Sequence, residues 1–115
     1  MTQRENREQA DDWPQWRGKD RLAVWHEEGI VDEFPDEGLE VVWKRPIGSG
    51  YSGPVVSQGR IVTMDYRPKP DTELVEAIER VVCMDEATGE LLWADEWETH
   101  YREVMGSYRT GPRAT

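Results

Sequence analysis

Apolar positions in this chain recur mostly at intervals of two, in short runs closed by glycine or proline, which is the pattern of half-buried strands rather than helices. Leu39, Val41 and Trp43 share one face of a strand predicted over 39–47, ended by Pro46 and Gly48. Gly48-Ser49-Gly50 reads as a turn, and a second strand is predicted over 52–57, where Pro54 suits a strand start. Gln58-Gly59 is a two-residue hairpin signal leading into a third strand over 60–66. Residues 68–72 read as a loop. Over 73–79 the pattern is divided: Leu74, Ile78 and Val81 fit helical spacing, whereas the following run fits a strand. A fourth strand over 80–85 leads into a tight turn at Glu86-Ala87-Thr88-Gly89, with Asp85 placed to accept hydrogen bonds from the turn N–H groups. A fifth strand follows over 90–96. The fold class is therefore all-β.

Ahead of these strands the periodicity disappears. Residues 1–12 mix charges of both signs and read as a disordered tail. Residues 13–38 read as an extended lead in which Trp13 and Trp16, set around Pro14 and closed by Gly18, pin the chain to something else. Beyond them lies an acidic stretch interrupted by Gly29, Pro35 and Gly38. Val24, Trp25, Ile30, Val31 and Phe34 are its expected anchors.

Composition changes the picture in three ways. Leu, Ile, Val and Phe make up about 18% of the chain, a share that with high net charge points to disorder, but six tryptophans point to a folded, thinly cored object. The net charge of −10 argues against a nucleic-acid partner, because phosphate contacts need clustered Lys and Arg. No run is long or apolar enough for a transmembrane segment or a secretory signal, so the sequence itself assigns no location. A single cysteine excludes an internal disulfide, and His26 and His100 lie far apart in the chain.

The chain also repeats itself. Val42-Trp43 followed by Gly48-Ser49-Gly50-Tyr51-Ser52-Gly53-Pro54 returns as Leu92-Trp93 followed by Gly106-Ser107-Tyr108-Arg109-Thr110-Gly111-Pro112. The two Trp are 50 residues apart and the two Pro 58, so the second copy carries an eight-residue insertion. Periods near ~40–50 residues with about four strands each mark propeller blades.

The stretch from Cys83 to Trp93 resembles the tryptophan-docking motif of quinoprotein-type propellers, A-x-D-x-A-T-G-K-E-x-W. Asp85, Ala87, Thr88, Gly89 and Trp93 match; Cys83 stands for the small Ala, and Glu90 and Leu91 replace Lys and Glu. Together with the DWPQWRG opening, the GYSGPVV and GRIV hairpin and the GPRAT close, this resembles the PQQ-like (BamB-like) β-propeller repeat proteins. The resemblance implies a ring of about seven or eight four-stranded blades. On that reading 39–115 is a partial propeller domain: a strand of the closing blade (39–47), one blade (about 51–97) and the start of the next. The chain is then expected to be an N-terminal fragment, with the remaining blades as its partners.

In such motifs the Gly leaves a bare peptide face on which a neighbouring blade's Trp lies flat. Trp43 is expected to stack on the Thr88-Gly89 turn, its indole N–H reaching a carbonyl near Glu86. Trp93 is expected to be more exposed, since its docking turn would belong to the next blade. Tyr51, Ser52 and Arg113 would begin innermost strands and are candidates for lining a central channel.

The resemblance implies a non-catalytic binding or scaffold propeller with a possible protein partner, in a periplasmic or other extracytoplasmic setting. The alternative is the N-terminal part of a PQQ-dependent alcohol or sugar dehydrogenase, and only that reading brings in PQQ and calcium as cofactors. Nothing in the sequence assigns a catalytic, cofactor-binding or metal residue. Cys83 reads as a small core residue, and Asp32, Glu33, Asp36 and Glu37 as a solvated surface lacking the spacing of a calcium loop. No phosphate loop or H-E-x-x-H motif is present.

Overall fold

The computed structural model describes residues 12–69, 76–100 and 111–112. The expected tail lies almost wholly outside them, as do most of the 68–72 loop, residues 73–75, most of the second repeat copy and Arg113. Among the described residues the protein is all-β apart from one 3₁₀ turn at Lys19–Arg21. Its strands form a single antiparallel meander in sequence order: β1 (Val55–Ser57), β2 (Arg60–Pro68), β3 (Glu76–Asp85) and β4 (Leu91–His100).

Local chemistry explains the connections. Gln58 and Gly59 both adopt positive φ, 51° and 76°, the twist that a two-residue hairpin requires. β3 is described from Glu76, so the divided pattern resolves as strand at 76–79: each residue there pairs with β4, and ladder pairing outweighs a brief helical spacing. β3 and β4 pair with a register shift at Cys83/Met84, which leaves Leu92 as the extra residue of a bulge.

The pairing register divides the side chains between two faces. The first carries Ile61, Thr63 and Asp65 of β2 beside Arg80, Val82 and Met84 of β3. The second carries Val62, Met64, Val81 and Cys83, continued on β4 by Trp93 and Trp97. Among the described residues the core is small: Ala77, Val82, Cys83 and Met84 are buried, accompanied by buried Thr63 and Asp65.

Three expectations need correction, the third concerning Trp16. Residues 39–47 do not form a strand. A strand exists only through a partner, and no described segment lies alongside this one to pair with it. Instead Leu39, Val41, Val42 and Ile47 are exposed, and the segment is held by side chains. The expected anchors of the lead, Val24, Trp25, Ile30, Val31 and Phe34, are likewise exposed, because no described surface covers them.

Trp13 does pin the lead. Its backbone exchanges two hydrogen bonds with Val56 of β1, at 2.8 and 2.7 Å, and its ring lies against Gly18. Trp16 does not share this role. It is exposed, with the Arg17 guanidinium 5.8 Å from its ring centroid. No described helix is long and apolar enough to cross a membrane.

Candidate functional site

Asp85 builds the turn between β3 and β4. One carboxylate oxygen accepts from the backbone N–H groups of Ala87 (2.8 Å) and Thr88 (3.0 Å) and from the Thr88 hydroxyl (3.2 Å). The Thr88 hydroxyl oxygen accepts from the Glu90 N–H at 3.2 Å, and Gly89 N–H donates to the Asp85 carbonyl at 2.8 Å. The turn is also tied to its neighbour, since Glu86 N–H donates to the Gly59 carbonyl of the β1–β2 hairpin at 2.9 Å.

Gly89 closes the turn with φ of 72°, and a β-carbon there would fall 2.5 Å from the Trp43 ring. The half-buried indole therefore lies directly on the bare peptide, and its Nε1–H donates to the Glu86 carbonyl at 2.7 Å. This is the contact expected for Trp43. Arg45, two residues on, donates to the Gly89 carbonyl at 3.3 Å. A segment without backbone pairing is thus held by two side chains on one turn.

The other motif residues sit as follows. Cys83 is a buried free thiol, 1% exposed, opposite Trp93 on the second face. Trp93 itself is 47% exposed, more than Trp43. Tyr51 is exposed, with its backbone N–H donating to the Pro112 carbonyl at 2.9 Å. Ser52 has a buried hydroxyl bonded to no described group. The Gly50-Tyr51 and Gly111-Pro112 copies therefore touch, although Arg113 lies outside the described residues.

Sequence reasoning missed the buried ion pair on the first face. Asp65 is 0% exposed and opposes Arg80 in the ladder. Arg80 donates Nε–H to one carboxylate oxygen at 2.9 Å and Nη2–H to the other at 2.5 Å, and Gly48 N–H adds a 2.6 Å bond. The Arg80 guanidinium holds the Asp65 carboxyl below its ordinary value of 3.8, with burial working the other way and Gly48 adding to the lowering. Asp65 raises Arg80 in return. The signal was present in the alternation: Asp65 is in phase with Ile61 and Thr63, and Arg80 with Val82 and Met84, so both strands turn a charge inward.

Beside this pair lies a cleft of about 310 Å³ between residues 44–47 and the first face. Lys44, Arg45 and Arg80 supply its charge, and Ile47, Val82, Met84 and Leu91 its apolar walls. Such a site can hold an anion. Among the described residues, no three of His, Cys, Asp and Glu converge in a group that could hold a metal ion. The chain matches no family model, no curated protein and no solved structure.

Proposed function

We propose that this chain contributes one blade and its flanking segments to a β-propeller of the PQQ-like repeat type, and that the propeller acts as a non-catalytic binding scaffold. The observation that carries the reading is the seat of Trp43: an indole from outside the sheet lies flat on Gly89 and donates to the Glu86 carbonyl. That is how a Trp of one blade would lock onto the Asp-capped turn of the next. A four-stranded meander is the size and order of a blade, which supports the same conclusion.

In this reading residues 39–47 are the part of a neighbouring blade that the chain supplies, and their missing ladder partners are strands of that blade. The exposed second face, with Trp93 and Trp97, is where the following blade would lie. The remaining blades are then the principal partners, and the turn-and-tryptophan clasp is structural rather than chemical.

The test is the structure of the product of the complete gene. A closed ring with 39–47 hydrogen-bonded into its last blade is the expected result; a sheet standing outside any ring overturns the proposal. The same protein, given PQQ, Ca²⁺, an alcohol and a dye acceptor, is expected to show no turnover. Turnover would move it to the dehydrogenase class.

A further inference from the structure

The cleft beside the clasp has a composition unlike the rest of the molecule. The chain carries a net charge of −10, yet the cleft is lined by Lys44, Arg45 and Arg80 and by no carboxylate. Asp65, beneath it, engages Nε and Nη2 of Arg80, which fixes the plane of the guanidinium and leaves Nη1 bonded to no described residue. Arg45 is oriented by the Gly89 carbonyl, and Lys44 makes no bond to a described residue. Two of the three cations are therefore held in place by bonds outside the cleft. Asp65, and Glu96 across the ladder, offset Arg80, so the remaining positive charge of the lining is that of Lys44 and Arg45.

Apolar side chains line part of the cleft. Val82 and Met84 form its floor, at 2% and 5% exposure, with Leu91 and Ile47 at its edges. Its volume, about 310 Å³, lies at the small end of the ~300–1,000 Å³ range of ligand pockets. That leaves room for a compact head and a short tail.

We propose that this cleft binds a small anionic amphiphile, with a carboxylate head among Lys44, Arg45 and Arg80 and a short alkyl or aryl tail over Val82, Met84 and Leu91. Nη1 of Arg80 and the remaining N–H groups of Arg45 offer donors to a carboxylate, and charge-assisted hydrogen bonds to oriented donors are the stronger kind. The site is built entirely from described residues between Lys44 and Leu91, so binding can be tested on this chain by itself, apart from any ring.

The test is an NMR titration of the isotopically labelled full chain with sodium hexanoate, hexylammonium chloride and inorganic phosphate. The Trp43 indole N–H resonance reports that the clasp is in place. Hexanoate is expected to shift the resonances of Val82, Met84 and Leu91 saturably below about 10 mM, hexylammonium to leave them unmoved, and phosphate to bind more weakly than hexanoate for want of a tail. Lys44→Gln is expected to weaken hexanoate binding about tenfold while the Trp43 resonance stays in place. Leu91→Glu, which puts a carboxylate at the edge of the cleft, is expected to abolish it. Cleft resonances that do not respond to hexanoate, equal responses to hexylammonium, or a Lys44→Gln protein that binds as well as the parent would overturn the proposal. So would phosphate binding as tightly as hexanoate.

Discussion

Asp65 shows how much one charged side chain can decide in a core this small. It is wholly buried and accepts three hydrogen bonds, two from Arg80 and one from Gly48. Removing one partner of such a pair leaves the other charge buried without compensation, so Asp65→Asn should cost about 3 kcal/mol in chemical denaturation. The pH dependence follows from its depressed folded-state value. The unfolded carboxyl titrates near its ordinary 3.8 and the folded one below it, so the stabilisation is complete above that range and is lost as pH falls through the folded value. The denaturation midpoint of the parent protein should therefore drop as pH falls below about 4, with a smaller drop in Asp65→Asn. Gly89→Ala makes a second test at this scale. It places a β-carbon into the Trp43 ring and into a left-handed conformation, and should cost about 2 kcal/mol or more. The seat of Trp43 was legible in the sequence because a short motif encodes it locally. The Asp65–Arg80 pair was less so, since it depends on a β2–β3 register that the alternation suggests but does not specify.

Elements differ sharply in how well they are supported. β2, β3 and most of β4 share continuous ladders, and the turns at 58–59 and 86–89 are tied to each other. β1 has only three residues and borrows its second partner from Trp13. Residues 39–47 have none. Hydrogen exchange should separate these classes: amides of Val81 to Cys83 protected most, those of Val41 and Val42 exchanging near the rate of an unfolded chain. Protection at Val41 and Val42 equal to β3 would mean that a pairing partner is present in solution. Alternation is a property of single residues and could be read from the sequence, so four strands emerged close to where it placed them. Pairing is a property of two segments, and alternation alone could not tell that 39–47 would find no neighbour here. The exposed pairs Arg67–Glu96 and Lys69–Glu98 add little to this hierarchy, as surface ion pairs commonly do.

At the scale of the whole molecule, many large apolar side chains of the described residues lie outside a small core. Trp93 and Trp97 are 47% and 40% exposed on one sheet face, and Phe34 in the lead is 74% exposed. Exposed aromatic side chains of this kind favour association, against which the charge of −10 provides repulsion that salt screens. The isolated chain should therefore sediment as a concentration-dependent mixture, shifting to larger species at high salt, and Trp93→Glu should move it back toward monomer. A sharp, cooperative thermal transition from a monomer at all concentrations would mark a self-sufficient domain instead. The exposure of Trp93 was expected from its place in the repeat. The exposure of the lead was not, because an apolar residue in a sequence announces a preference for burial without naming the surface that will bury it.

The two long-range ties, the Trp43 indole on its turn and the Trp13 backbone on β1, also bear on time. Trp43 reaches across 43 residues to Glu86, and Trp13 spans a similar separation to Val56, whereas β1–β2 and β3–β4 join neighbours in the chain. Closing long loops carries an entropic cost that local hairpins avoid, so the meander forms first and the ties close on a sheet already assembled. Contacts made after the rate-limiting step slow unfolding without speeding folding. In stopped-flow experiments Trp43→Ala should steepen nothing and leave the refolding limb where it was, while raising the unfolding rate by about tenfold or more. The ties then act chiefly as latches: they set how long the folded chain lasts, not how quickly it is made.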